Sequence, residues 1–263
     1  MAGFFTLALF THEMKSILKQ WLITCVVLVA FNAYAQKAGD NIVGFGLASI
    51  HPDTSVGTVV SAGSDAPSNA VASAFNAANA GLRGSIASQV TIAVSWLHMY
   101  SDNLGTELLL GIPPQLTLDL QHADGTTQPN AATVKTWTPA VVAKYFFNPS
   151  QDKARPYIGL GVSYVTFHSV MPSNLDSLQA LAGNGASLSS TWTPAYSVGL
   201  LYNLDDRWSI QAGVSYLPVR TTATYMGKTG PVNGTTVPAT GVTTKADFGL
   251  NTTDYVVRLG YRF

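Results

Sequence analysis

The sequence predicts an all-β fold, an eight-stranded antiparallel transmembrane β-barrel with short periplasmic turns and long extracellular loops. Eight segments alternate large apolar with small or polar side chains at a period of two, so each presents two unlike faces. Their connections alternate between short and long. Only 11% of the 263 residues are charged, against about 25% in an average soluble domain.

Before the first segment comes the only stretch apolar enough for a membrane helix. From Met14 it carries Lys15 and Lys19, an apolar run from Trp21 to Phe31, then Ala33-Tyr34-Ala35 before Gln36. A basic start, an apolar run of about ten residues and an A-x-A site describe a secretory signal peptide. Residues 1–35 are therefore expected to be removed, with Met14 as a candidate start, leaving residues 36–263 as one barrel domain. Cys25 is the single cysteine and lies inside that run, so the mature chain is expected to hold no disulfide and no cysteine metal site. The apolar residues that follow it argue against a lipoprotein signal.

The segments run in order. Ile42 to Ile50 sets Val43, Phe45 and Leu47 against Gly44, Gly46 and Ala48. Gln89 to Tyr100 sets Val90, Ile92, Val94 and Trp96 against Thr91, Ala93 and Ser95. Leu104 to Ile112 turns Glu107 and Leu109 inward, and Ala140 to Phe147 turns Lys144 inward. Pro156 to His168, Thr191 to Leu204 and Trp208 to Pro218 repeat the pattern, with Tyr157, Gly159, Gly161, Gln211 and Gly213 on the small or polar face. The last strand carries Tyr255, Val257, Leu259, Tyr261 and Phe263 on one face and Arg258, Gly260 and Arg262 on the other. Such a strand suits lipid outside and a polar lumen inside; as the edge of a soluble sandwich its apolar face would invite aggregation.

The three short connections, Ser101-Asp102-Asn103, Asn148 to Ala154 and Asn203 to Arg207, are polar. About Pro52 to Ser88, Pro113 to Pro139, Ser169 to Ser190 and Met226 to Asp247 the chain makes long excursions, read as extracellular loops. Ser68 to Gly81, rich in Ala and Asn, reads equally as a short helix or a loop. Both termini then lie in the periplasm.

The terminal Phe263 resembles the end signal of bacterial outer-membrane barrels, which places the chain in the outer membrane of a Gram-negative bacterium, surrounded by outer-membrane lipid. The blocks Asp102-Asn103-Leu104-Gly105-Thr106-Glu107-Leu108-Leu109, Arg155 to Tyr164, Thr221 to Tyr225 and Gly260 to Phe263 resemble the OmpW family of small outer-membrane barrels. The likeness spans most of the mature chain and is weakest in the first, second and fourth long excursions. It implies an eight-stranded barrel with an apolar lumen, linked in that family to passage of small hydrophobic molecules. It also implies receptor use by bacteriocins in some members, and no enzymatic site.

Counting inward residues from the periplasmic turns gives depths. Glu107, Lys144 and Arg258 each sit about four or five residues up, at one level by the 3.3 Å rise per residue. Together with Arg262 they are expected to form a charged lumen floor, because polar groups in a narrow barrel need partners. Ile50, Leu109, Val165, Phe167, Leu217 and Val219 project inward nearer the outside and read as an apolar vestibule for a hydrophobic solute, or simply as barrel packing. Pro194 and Pro218, about eleven residues from their shared turn, donate no ladder hydrogen bond and mark a candidate lateral seam. Pro113 and Pro139 stand at comparable height, so all four equally mark where strands leave the membrane.

Other function classes find little support. Net charge is zero, without the basic footprint of nucleic-acid binding. The five histidines show no metal-ligand spacing, the loop aspartates show no calcium-loop spacing, and the G-x-G pairs lack the helix a nucleotide fingerprint needs. No cofactor, metal or catalytic residue is expected; His168 alone suits an outward-facing lipid-modifying group. Two readings stay open: admission of small hydrophobic solutes through the vestibule with lateral release, or a non-transporting barrel whose loops serve surface interaction, as a receptor or in stress protection.

Overall fold

The computed structural model describes residues 36–263; the predicted signal peptide, residues 1–35, lies outside the described residues. The described chain runs β1 (Asn41–Gly63), α1 (Ala66–Ala78), β2 (Arg83–Ile86), β3 (Gln89–Met99), β4 (Leu104–Gly111), β5 (Gln115–Gln121), β6 (Thr127–Trp137) and β7 (Ala140–Phe146). It continues through β8 (Ala154–Pro172), α2 (Asp176–Ala182), β9 (Gly185–Leu188), β10 (Thr191–Asn203), β11 (Trp208–Met226), β12 (Gly230–Val232), β13 (Thr235–Val237) and β14 (Val242–Arg262). Eight of these strands pair antiparallel as a closed ring, β1–β3–β4–β7–β8–β10–β11–β14 and back to β1. Closure removes the free edges that so apolar a sheet would otherwise expose.

Alternation sorts the faces as expected. Phe45, Ile158 and Val198 are more than half exposed on the outer face, while Gly44, Tyr157 and Arg258 of the same sheet face the lumen. Aromatic pairs border the outer band: Trp208 with Tyr261 and Tyr145 with Phe147 below, Tyr164 with Trp192 above, at centroid distances of 4.9, 5.2 and 4.9 Å. That is the girdle arrangement of a barrel in lipid.

The long excursions are not loose loops, and here the sequence expectation needs correction. β1 continues unbroken from Asn41 to Gly63, with one bulge between Val56 and Val59 against β14. The stretch between Pro113 and Pro139 folds as the β5–β6 hairpin, which rides on the upper half of β8. β2 pairs with β5 in the same offset as β3 with β4, Ile86 facing Leu118 as Ala93 faces Gly111. The strands thus run on past the bilayer. There the outer face meets water, so the apolar outward stripe that marks the lower strands fades while the inward side stays apolar. Leu116, Val134, Ala223, Ala246, Phe248 and Leu250 bury in that upper core. Ser68 lies in a true helix: Asp65 caps α1, its Oδ1 accepting from Ser68 N at 2.9 Å while Ser68 Oγ accepts from Asp65 N at 3.0 Å.

Candidate functional site

Three of the four expected floor residues meet in the lower lumen. Arg258 Nη2 donates to both Glu107 oxygens at 3.0 and 3.1 Å, and Lys144 Nζ forms a second ion pair with Glu107. Neighbouring strands β4 and β7 bring Glu107 and Lys144, β14 brings Arg258 from beyond β1 and β3, and Glu107 is wholly buried. Gln211 on β11 completes the layer. With its amide oxygen turned toward the cations it accepts from Arg258 Nη2 at 2.9 Å and from the Tyr157 hydroxyl at 3.0 Å. The Tyr157 ring lies 4.1 Å from Lys144 Nζ, so the aromatic face adds to the carboxylate in compensating that cation. Glycines make the room: a Cβ on Gly199 or Gly213 would strike the Tyr157 hydroxyl.

Arg262 is not part of this layer. Its Nη1 pairs with Asp40 Oδ2 at 3.1 Å at the periplasmic rim, and its Nη2 donates to the Asp206 carbonyl in the β10–β11 turn. Four residues separate it from Arg258, roughly 13 Å along a strand. It shares the inner face but not the depth.

Beneath the floor the bore is filled. Ile42, Leu97, Met99, Phe146, Tyr157 and Leu201 form a buried cluster there. A polar lock below them escaped the sequence reading. Buried Arg155 donates from Nη1 to the Gln36 carbonyl and Oε1 at 3.3 and 3.1 Å and from Nη2 to the Asp102 carbonyl. Gln36 Nε2 donates to Asn203 Oδ1 at 2.8 Å. The Asp102 carboxylate accepts from Ala38 N and Ser150 Oγ, each at 3.1 Å, and these bonds, the backbone one first, hold its pKa below the ordinary carboxylate range. The R-P-Y block carried Arg155 in plain view. An inward parity at the very start of a strand was the available signal.

All six expected vestibule residues face the lumen above the floor. Ile50, Leu109 and Leu217 line a cavity of about 100 Å³ whose base is Glu107, Lys144 and Arg258. Ile50 and Leu217, with Val165, Phe167 and Val219, line a second cavity of about 40 Å³ directly above. Both are smaller than the roughly 150 Å³ that admits benzene in a protein core, so any solute must displace side chains. Asp254, Ile50, Thr138 and Leu217 belong to both cavities and form the neck between them.

The wall has two lapses. Between β10 and β11 the ladder ends at Tyr196–Tyr216, just below Pro194 and Pro218, and resumes as β9–β11 at Leu188–Ala223. Thr193 Oγ1 bridges this lapse to the Pro218 carbonyl at 2.8 Å. The outer groove beside it is polar, with Ser189, Ser190, Arg220, Asp247 and Asn251. Between β3 and β4 the ladder ends at Ala93–Gly111 and resumes at Ile86–Leu118, with two further bonds at its lower edge, Ile112 N donating to the Ile92 carbonyl and Thr91 Oγ1 to the Ile112 carbonyl at 2.6 Å. Here the cavities reach the wall, at Ile92 and Leu110 below and at Ile86 and Pro114 above.

His98 and His168 do not join the floor. His98 Nδ1 contacts Asn41 Oδ1 at 3.0 Å among Trp96 and Tyr100 on the outer surface, and His168 pairs with Lys135 in the extramembrane sheet.

Comparison with known proteins agrees with the geometry. The family model described as OmpW family matches residues 37–263. Outer membrane protein W of Salmonella typhimurium is 27% identical over 205 residues, covering 77% of this chain and 84% of that protein. Outer membrane protein AlkL of Ectopseudomonas oleovorans is 26% identical over 148 residues, 56% of this chain and 59% of its own length. The crystal structure of the outer membrane protein OprG from Pseudomonas aeruginosa superposes with a TM-score of 0.70 at 23% identity, over 88% of this chain and 99% of that one.

Proposed function

The chain belongs to the OmpW family of outer-membrane proteins, and from that premise we propose that it admits small hydrophobic molecules through its extracellular vestibule. It is an outer-membrane β-barrel embedded in lipid. The observation that carries the proposal is the stacking of an apolar bore on a closed base. Inward Ile50, Leu109 and Leu217 line the cavity whose base is the Glu107–Lys144–Arg258 layer, and Val165 and Val219 line the cavity above it. A hydrophobic solute gains by entering the upper lumen and loses by displacing buried ion pairs and the cluster beneath. Straight passage to the periplasm is therefore blocked, and release is sideways.

Of the two lapses in the wall, that between β3 and β4 suits release. About five residues on each side, 87–91 and 113–117, do not pair with each other, roughly 16 Å of open ladder held at its lower edge by Thr91 Oγ1 on the Ile112 carbonyl. Pro113 and Pro114 donate no amide hydrogens, so no backbone donor is left exposed to lipid at those positions. The Pro194–Pro218 lapse faces polar side chains and would charge a hydrocarbon their desolvation. Uptake of short alkanes and aromatic hydrocarbons by intact cells, with and without the protein, tests the reading. Faster uptake with the protein supports it. Unchanged uptake refutes it and leaves the surface-interaction role, including receptor use by bacteriocins, as the working alternative.

A further inference from the structure

The neck between the two cavities holds a carboxyl group that the charged floor does not use. Asp254 on β14 faces inward between Ile50 and Ser215, its register partners on β1 and β11. Its Oδ1 is buried and has no hydrogen-bond partner. Both floor cations are committed to Glu107, and Asp254 lies four residues above Arg258, roughly 13 Å along the strand. Two further buried oxygens without partners, Ser197 Oγ and Thr136 Oγ1, line the lower and upper cavity respectively. Buried polar groups are almost always satisfied, so an unpaired acceptor aimed into a cavity marks a place for a ligand's donor.

We propose that Asp254 is a headgroup-binding residue, which makes the lumen selective for small amphipathic molecules with a hydrogen-bond-donating head, primary amines foremost and alcohols next, over pure hydrocarbons. The inference rests on the vestibule reading and deepens it. The tail would lie in the upper cavity among Val165, Phe167, Leu217, Val219 and Leu250, whose burial favours an alkyl chain. The head would sit at the neck on Asp254 Oδ1, with Ser197 Oγ and Thr136 Oγ1 as neutral partners on either side. A solute with such a head relieves the unpaired Asp254 Oδ1; an alkane entering the same space leaves that oxygen unpaired and excludes any other partner. An ammonium gains most, because a charge-assisted bond in a water-poor site is the strongest the neck can offer. The floor gives the same head no purchase, since Glu107 is already saturated by Lys144 and Arg258.

The test uses the full mature chain in lipid nanodiscs, with n-hexylamine, 1-hexanol and n-hexane as probes. Carbon-13 shifts of the Asp254 carboxyl and of the Leu217 and Val165 methyls report head and tail separately. The expected result is a saturable shift of the Asp254 carboxyl with n-hexylamine, a smaller one with 1-hexanol and none with n-hexane. Asp254→Leu should weaken n-hexylamine binding at least about tenfold while n-hexane binding holds or tightens. Asp254→Asn keeps the shape and an acceptor, and should lose the amine preference while retaining the alcohol. If n-hexane shifts the methyls while n-hexylamine leaves the Asp254 carboxyl unmoved, or if Asp254→Leu weakens all three probes alike, the headgroup site is overturned and the vestibule stands. If no probe moves the methyls or the carboxyl, the vestibule falls as well. Should Asp254→Leu fail to fold, the carboxyl shift in the unaltered chain decides alone.

Discussion

Glu107→Ala offers a sharp test of the floor. Glu107, Lys144 and Arg258 are 0%, 1% and 5% exposed, so removing the carboxylate leaves two cations buried without their counter-charge. Breaking a buried pair by deleting one partner costs about 3–5 kcal/mol, chiefly as the penalty on the charge left behind. Gln211 and the Tyr157 ring offset part of that, which places the expected loss near the lower bound, about 3 kcal/mol. The rim pair supplies the control. Arg262 and Asp40 are 18% and 23% exposed, and Arg262→Ala should cost about 1 kcal/mol or less. Reversible urea unfolding in lipid vesicles measures both. Replacing the whole layer with Glu107→Leu, Lys144→Met and Arg258→Met should recover most of the loss, because no charge is then left unpaired. Exchanging the pair by Glu107→Lys and Lys144→Glu should recover only part, since Arg258 Nη2 would then meet a cation. A Glu107→Ala loss no larger than that of Arg262→Ala would refute the floor as a coupled buried unit.

Three other outcomes follow from the geometry. Arg155→Ala should destabilise the barrel by about 2 kcal/mol through lost charged hydrogen bonds and expose the chain near Gln36 to protease from the periplasmic side; unchanged protection would contradict the lock. Asp102, its carboxyl held below the ordinary aspartate range by the Ala38 and Ser150 hydrogen bonds, stabilises the periplasmic turns fully above that range and progressively less as pH falls through its folded pKa. The Ala38 amide proton shift should therefore titrate with a midpoint below that of an ordinary aspartate, and a midpoint at or above the ordinary one would contradict the hydrogen-bond account. Joining cysteines placed at Val90 and Pro114 with a short bis-maleimide should close the β3–β4 lapse and slow hydrocarbon uptake, whereas the same link across Pro194 and Pro218 should not; the reverse pattern would move the exit.

The lower barrel is legible in the sequence because lipid outside and a crowded lumen inside impose opposite demands on alternate residues. Phe45 against Gly46, or Tyr145 against Lys144, assigns a face without ambiguity. Alternation says nothing about depth. Glu107, Lys144 and Arg258 were placed by counting from turns, which works where a turn is short; Arg262 shares their parity and yet ends at the rim with Asp40. Above the bilayer the outer face turns polar, so β5, β6 and the upper half of β1 carry only half the pattern and read as loops. Asp254 is hidden in the sequence because the apolar stripe of the terminal strand begins at Tyr255, although Asp254 precedes Arg258 by four residues on the same face. Arg155 escaped because a charged residue beside a turn reads as solvated, whereas here the returning chain at Gln36 covers it.

The most direct test of the central claim is where a hydrocarbon sits. With the protein in lipid nanodiscs and its methyl groups isotopically labelled, nuclear Overhauser contacts to toluene should reach Leu109, Val165, Leu217 and Val219 above the floor. Leu97 and Leu201 beneath it should receive none. Contacts to Leu97 or Leu201 as strong as those to Leu217 would mean that the Glu107 layer is no barrier and that the solute passes straight through.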